Sequence, residues 1–144
     1  MKFKSQILIN ASLAQVMKKL LLKENMKFWM KGFQSYELQN GKFFQKGSVA
    51  ILTLDVGLKK IEMTESILES DLPFTYKASY SAQGVTNVVV NHFEVVDENS
   101  TLWKQEFEFK FESIAVKAFS GLVVSLFKKI SHSTLNDFKK FVEE

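Results

Sequence analysis

The order of hydrophobic patterns along the chain restricts its fold more than any other feature. Apolar and polar residues alternate over 3–9, and apolar residues then recur every three or four positions over 13–30. Alternation returns over 33–111, and helical spacing returns over 115–142. Alternation is typical of strands with one buried face, and the longer spacing is typical of amphipathic helices. The chain is therefore predicted to be an α+β protein in which an antiparallel sheet packs against a terminal helix.

Turn and cap residues divide these regions into elements. Asn10 or Ser12 is predicted to cap a first helix and Asn25 a second one. Asn40-Gly41 predicts a hairpin between strands at 33–39 and 43–55, the second of which contains Gly47 and can start late. Further turns are predicted at Gly57, Asp71-Leu72-Pro73, Gln83-Gly84 and 97–100. One terminal helix of roughly 40 Å is expected to run to the end of the chain, and Gly121 inside it indicates close packing, a kink or room for a ligand.

Composition excludes several classes of protein. The 144 residues are 46% hydrophobic and include 14 Phe but no Cys, which favours a large dry core and excludes thiolate catalysis and thiolate metal sites. The net charge is +3, but the lysines are scattered and Arg is absent, so no nucleic-acid partner is expected. Residues 118–127 are too short a run for a bilayer span. One cytoplasmic domain over 1–144 without stable membrane insertion is expected, since no linker, repeat or signal segment is found.

The arrangement of strand, two short helices, six strands and long helix resembles the START-like or Bet v 1-like (SRPBCC) superfamily, including bacterial polyketide cyclase/dehydrase-like proteins. Local likenesses are Phe28-Trp29, the 33–41 hairpin arm followed by Gly47, the turn ending at Ser100-Thr101, and the Phe-rich last strand that leads into the helix. The resemblance implies a helix-grip fold, in which a curved seven-stranded antiparallel sheet, two short helices and a long C-terminal helix enclose a cavity. In relatives this cavity accepts lipids, sterols, polyketides or other apolar molecules.

If the apolar rows face such a cavity, the candidate ligand contacts are the residues on those rows. They are Met63, Glu65, Tyr76, Tyr80, Asn91, Phe93, Gln105, Phe107, Phe109, Phe119, Leu122, Val123 and Leu126. The strand at 48–55 is apolar on both faces, so its lining residues are left open.

The polar members of these rows each have two interpretations. A buried Glu65 would have a raised pKa and could act as an acid or base, but buried carboxylates are rare, which favours a bulge or strand end that leaves it in solvent. Tyr76 and Tyr80 either donate hydrogen bonds to a ligand or are core residues. Asn91 and Gln105 either orient a ligand or bond to each other.

The leading hypothesis is a protein that binds a small hydrophobic or amphipathic molecule, with no cofactor. One alternative is a cyclase, dehydratase or isomerase that uses Glu65 and a tyrosine. Another is a protein-interaction module or homodimer with a filled core. His92 and His132 lack metal-ligand spacing, so no metal is expected.

Overall fold

The computed structural model describes residues 1–57 and 59–144 and has the predicted helix-grip architecture. The strands are β1 (Lys2–Ile9), β2 (Phe33–Asn40), β3 (Val49–Asp55), β4 (Lys60–Asp71), β5 (Thr75–Ala82), β6 (Val85–Asp97) and β7 (Ser100–Phe111). The helices are α1 (Leu13–Leu20), α2 (Met26–Trp29), α3 (Ile114–Ala118) and α4 (Gly121–Glu143), with a 3₁₀ turn at Lys23–Asn25. The seven strands form one antiparallel sheet in the order β1-β7-β6-β5-β4-β3-β2.

Local hydrogen bonds explain where the first two helices begin. Ser12 caps α1 through a reciprocal pair of bonds: its Oγ accepts from the Gln15 backbone N–H, and the Gln15 side chain accepts from the Ser12 backbone. Asn25 is the N-cap residue of α2, as predicted, but its side chain makes no capping hydrogen bond, because its amide instead donates to the Lys19 carbonyl. That bond ties α2 back to the end of α1.

The turn predicted at Gln83-Gly84 and the hairpin predicted at Asn40-Gly41 have different outcomes. Gln83 and Gly84 both take positive φ and join β5 to β6 in a two-residue turn, as predicted. Gly41 also takes positive φ, but β3 starts at 49, so the connection from β2 is longer than the Asn-Gly signal predicts.

Aromatic packing explains this longer connection. The ring of Phe43 contacts that of Tyr36 at 5.5 Å between centroids, and the ring of Phe44 contacts that of Tyr76 at 5.0 Å. Folding both rings onto the sheet buries more apolar surface than extending the strand would, since alternation would turn one ring to solvent.

The predicted single terminal helix is interrupted. α3 ends where Ser120 Oγ donates to the Lys117 carbonyl at 2.8 Å, and α4 then begins at Gly121. Two features favour this break: the Ser120 hydroxyl satisfies a carbonyl at the end of α3, and Gly121 has a low helix propensity.

α4 lies across the inner face of the sheet and closes the core. Phe138 is fully buried and makes edge contacts with the rings of Trp29 and Trp103, at 5.1 and 5.2 Å between centroids. Nearer its start, Phe127 packs on Phe109 of β7. Phe127 and Phe138 thus anchor α4 to the sheet at two points, and the space between these two contacts forms the candidate site. Within the described residues, no helix is long and apolar enough to cross a bilayer.

Candidate functional site

A small cavity lies between the inner face of the sheet and α4. Its volume is about 90 Å³, and we call it the inner cavity. Its walls are mainly apolar, with a few amide, hydroxyl and indole groups among them. The lining residues are Trp29, Met30, Leu52, Leu54, Met63, Tyr76, Tyr80, Asn87, Val89, Asn91, Trp103, Gln105, Phe107, Phe127, Ile130, Ser131 and Thr134.

A second cavity of about 90 Å³, the outer cavity, adjoins the first below the start of α4. Met63, Phe127 and Ile130 line both cavities and therefore separate them. The other residues that line the outer cavity are Lys59, Lys60, Ile61, Ala82, Gln83, Leu122, Val123 and Leu126. The outer cavity thus has lysines at its edge, whereas the described lining of the inner cavity contains no charged residue.

Three side chains at one end of the inner cavity form a hydrogen-bond cluster. Asn91 is only 1% exposed, and its Oδ1 accepts from Trp103 Nε1 and from Gln105 Nε2, both at 2.9 Å. Residues 91 and 105 face each other across β6 and β7, which brings their amides together. The predicted alternative in which Asn91 and Gln105 bond to each other is therefore observed.

Three residues that line the inner cavity nevertheless carry buried polar atoms without a partner. Gln105 Oε1, Asn87 Oδ1 and Trp29 Nε1 are buried and have no hydrogen-bond partner among the described residues. A buried polar atom without a partner is costly, typically by about 1–3 kcal/mol. Such atoms in a cavity wall are the groups that a bound molecule or water would satisfy.

Glu65 is buried beside this cavity, contrary to the favoured expectation that it lies in solvent. It is 7% exposed, and Tyr36 Oη donates to its Oε1 at 2.6 Å. The β4 strand is regular at this position, with Glu65 opposite Ala50 on β3 and opposite Tyr80 on β5. Because Ala50 carries only a methyl group, the Tyr36 side chain can reach across β3 to the carboxyl.

Opposing effects set the pKa of Glu65. Burial raises the pKa of this carboxyl, while hydrogen bonding from Tyr36 and Tyr80 lowers it, and burial has the larger effect. Burial and the nearby carboxylate also raise the pKa of Tyr36, Tyr76 and Tyr80, so these hydroxyls stay protonated donors. Tyr80 lines the inner cavity as well, and it therefore connects Glu65 to that space.

The predicted contact residues fall into three groups in the structure. Met63, Tyr76, Tyr80, Asn91, Gln105 and Phe107 line the inner cavity, and Leu122, Val123 and Leu126 line the outer one. The remaining four line neither cavity: Glu65, Phe93, Phe109 and Phe119.

Packing explains the positions of Phe93 and Phe109, and the break between α3 and α4 explains that of Phe119. Phe93 is stacked between Tyr76 and Trp103, and Phe109 contacts Phe3 and Phe127, so both belong to the solid core. Phe119 is 84% exposed because it follows the last residue of α3, where the helical stripe that should have buried it is broken.

Sequence reasoning missed part of the site. Tyr36 was not among the predicted site residues, although it lies on a strand with an alternating pattern. Its contact with Glu65 depends on the tertiary structure, because β2 and β4 lie on either side of β3 and a small residue of β3 leaves room between them. Asn87 lies in phase with Asn91 on β6, and this spacing could have identified it. Leu52 and Leu54 lie on the strand whose facing was left open, and they line the cavity.

The histidines lie outside this site. His92 Nε2 is 3.7 Å from a carboxylate oxygen of Glu106, and both side chains are partly exposed. His132 is exposed on α4. Across residues 1–57 and 59–144, no three His, Cys, Asp or Glu side chains are grouped so that they could hold a metal ion.

Comparison with known proteins identifies the fold. No protein-family model and no curated protein sequence matches the chain. Solved structures match it over nearly its whole length. Ara h 8.0201 is 16% identical, with 99% of this chain and 97% of that chain covered and a TM-score of 0.81. The Zhui aromatase/cyclase from Streptomyces sp. R1128 is 12% identical, with 99% and 93% covered and a TM-score of 0.78.

Norcoclaurine synthase from Thalictrum flavum, solved in complex with dopamine and hydroxybenzaldehyde, is 15% identical. The match covers 99% of this chain and 86% of that chain, with a TM-score of 0.73. Identities this low establish architecture rather than activity. The chain therefore has the same helix-grip fold as these structures, which is the fold that the sequence resemblance predicted.

Proposed function

We propose that the protein binds a small, mainly apolar molecule in the inner cavity. The observation that carries this proposal is the combination of apolar walls with three buried, unpaired polar atoms, on Trp29, Asn87 and Gln105. Apolar concave sites with a few well-placed polar groups are typical of ligand sites. The norcoclaurine synthase structure, which holds two small aromatic molecules, supports the proposal at the level of fold.

The size of the inner cavity limits how a ligand is accommodated. Its volume of about 90 Å³ is smaller than the roughly 150 Å³ apolar cavity in which benzene binds in an engineered protein. An occupant of two rings must therefore displace Met63, Phe127 or Ile130 and extend into the outer cavity. Met63 is the most adaptable of the three, because its unbranched side chain has several accessible rotamers.

Native mass spectrometry of the purified protein, followed by denaturing extraction, tests the proposal. A stoichiometric apolar adduct is expected. Ser131→Phe places a ring in the inner cavity and should abolish the adduct, whereas Ser125→Phe adds the same ring to an exposed position of α4 and should retain it.

Equal adducts on both variants would show that the molecule binds elsewhere. A clean mass for the unmodified protein, with no uptake of added naphthalene-sized compounds, would contradict ligand binding. That outcome would favour the interaction module or homodimer with a filled core.

We propose acid–base catalysis as a second candidate function, because the Glu65 carboxyl contacts Tyr36 at 2.6 Å and adjoins Tyr80 at the cavity wall. Tyr80 can donate a hydrogen bond to a carbonyl in the cavity. Glu65, whose pKa burial raises, can exchange a proton with the bound molecule once the tyrosine ring moves aside.

Deuterium exchange into 2-tetralone, a neutral ketone with acidic α-hydrogens, tests this second candidate. Catalysed exchange in D₂O, measured by mass spectrometry, should be lost in Glu65→Gln and reduced in Tyr80→Phe. Glu62→Gln changes an exposed carboxylate on the same strand and should leave the rate unchanged. Unchanged exchange in Glu65→Gln would eliminate Glu65 as the base.

A further inference from the structure

We infer that the inner cavity selects an uncharged molecule that carries a hydroxyl or N–H group, and that it rejects carboxylates. This inference rests on the proposed ligand-binding function and specifies the chemistry of the ligand. It follows from the orientation of one amide and from the absence of charge in the described cavity lining.

Two hydrogen bonds to Asn91 fix the orientation of the Gln105 amide. An indole N–H can only donate, so the bond from Trp103 Nε1 requires Asn91 to present its oxygen. The Gln105 group that lies 2.9 Å from the same oxygen must then be the NH₂, because two amide oxygens would repel each other. The Gln105 oxygen is therefore left as a buried acceptor without a partner.

The other unpaired atoms extend this requirement. Asn87 Oδ1 is a second buried acceptor in the cavity wall, on a residue that is 2% exposed. Trp29 Nε1 is a buried donor in the same wall. A hydroxyl or N–H group on the ligand can donate to Gln105 or Asn87, and a hydroxyl or carbonyl oxygen can accept from Trp29.

Charge excludes the ionised counterpart of such a ligand. A carboxylate can only accept hydrogen bonds, so it could accept from Trp29 Nε1 but would leave the oxygens of Gln105 and Asn87 unsatisfied. No described residue of the inner lining carries a compensating positive charge. A buried carboxylate without a positive charge beside it is strongly unfavourable. Lys59 and Lys60 line the outer cavity and are absent from the inner lining.

Three ligands of one shape separate these effects: naphthalene, 2-naphthol and 2-naphthoate at pH 7. The indole N–H resonances of Trp29 and Trp103 report binding, because these are the only two tryptophans and both line the cavity. We expect 2-naphthol to bind about tenfold more tightly than naphthalene, as one added hydrogen bond allows. We expect 2-naphthoate to bind at least tenfold more weakly than 2-naphthol.

A pair of matched variants assigns the preference to Gln105. Gln105→Met keeps the side-chain length and leaves Asn91 bonded to Trp103, so the protein should fold while the preference for 2-naphthol over naphthalene falls to below about threefold. Gln6→Met makes the same change at an exposed position of β1 and should retain the preference.

The outcomes distinguish the two proposals. If naphthalene binds as tightly as 2-naphthol, the hydrogen-bond requirement is overturned while ligand binding stands. If 2-naphthoate binds as tightly as 2-naphthol, the rejection of carboxylates is overturned, and the lysines of the outer cavity become the recognition site. If none of the three shifts either indole resonance, ligand binding and its specificity both fail.

Discussion

Replacing Glu65 by Gln is expected to make the protein progressively more stable than the wild type as pH rises. Burial raises the pKa of Glu65 in the folded state, whereas an unfolded Glu has a pKa of about 4.3. Between those two values the folded state holds more protons than the unfolded state, so the free energy of unfolding falls as pH increases. A neutral Gln removes this dependence and keeps an oxygen that can accept from Tyr36.

The magnitude follows from proton linkage. A single group contributes at most about 1.4 kcal/mol for each pH unit between its unfolded and folded pKa values. The stability difference between Glu65→Gln and the wild type should therefore begin to grow near pH 4.3, with a slope no steeper than this. It should become constant once pH passes the folded-state pKa, and the pH of that plateau measures the pKa.

Urea unfolding followed by tryptophan fluorescence from pH 4 to 8 is the assay. Glu62→Gln changes an exposed carboxylate on the solvent side of the same strand, β4, and the stability difference of this variant should stay flat with pH. A flat difference for Glu65→Gln as well would refute a raised pKa. A difference that decreases with pH would mean that hydrogen bonds from Tyr36 and Tyr80 outweigh burial.

Two further pairs of substitutions test the fold. Gly32→Ala places a Cβ 2.1 Å from the Asp55 carbonyl oxygen at a φ of 76°, and should cost at least about 2 kcal/mol; Gly47→Ala has a similar φ of 89° but open space, and should cost about 1 kcal/mol. Equal losses in urea unfolding would contradict the clash. Phe138→Ala removes a fully buried ring and should cost about 3–5 kcal/mol, whereas Phe74→Ala, at a half-exposed ring, should change stability by less than about 1 kcal/mol. Similar losses at the two Phe positions would contradict the packing role of α4.

Local sequence patterns predicted the strands and the first helix well. Trp103, Phe107 and Phe109 alternate with charged residues and are buried as predicted, because period-two alternation is imposed by the strand itself. Ser12 caps α1 through a residue three positions away, and such short-range bonds are readable from sequence.

Predictions that needed distant partners were less complete. The break between α3 and α4 depends on a serine hydroxyl competing with the helix, which the apolar stripe does not reveal. The start of β3 depends on whether Phe43 and Phe44 pack on Tyr36 and Tyr76, which are supplied by two other strands.

The sequence by itself determined the order of the strands and the inward rows of the sheet, because these follow from the periodicity of each segment, and the resemblance that this order carries predicted the helix-grip fold. Only the tertiary structure decided the chemistry of the candidate site. It buried Glu65 against Tyr36, fixed the amide of Gln105 through Asn91 and Trp103, and set the volume between sheet and α4. Each of these depends on side chains from separate strands meeting in a dry interior, where a hydrogen bond or a charge has a far larger effect than in water.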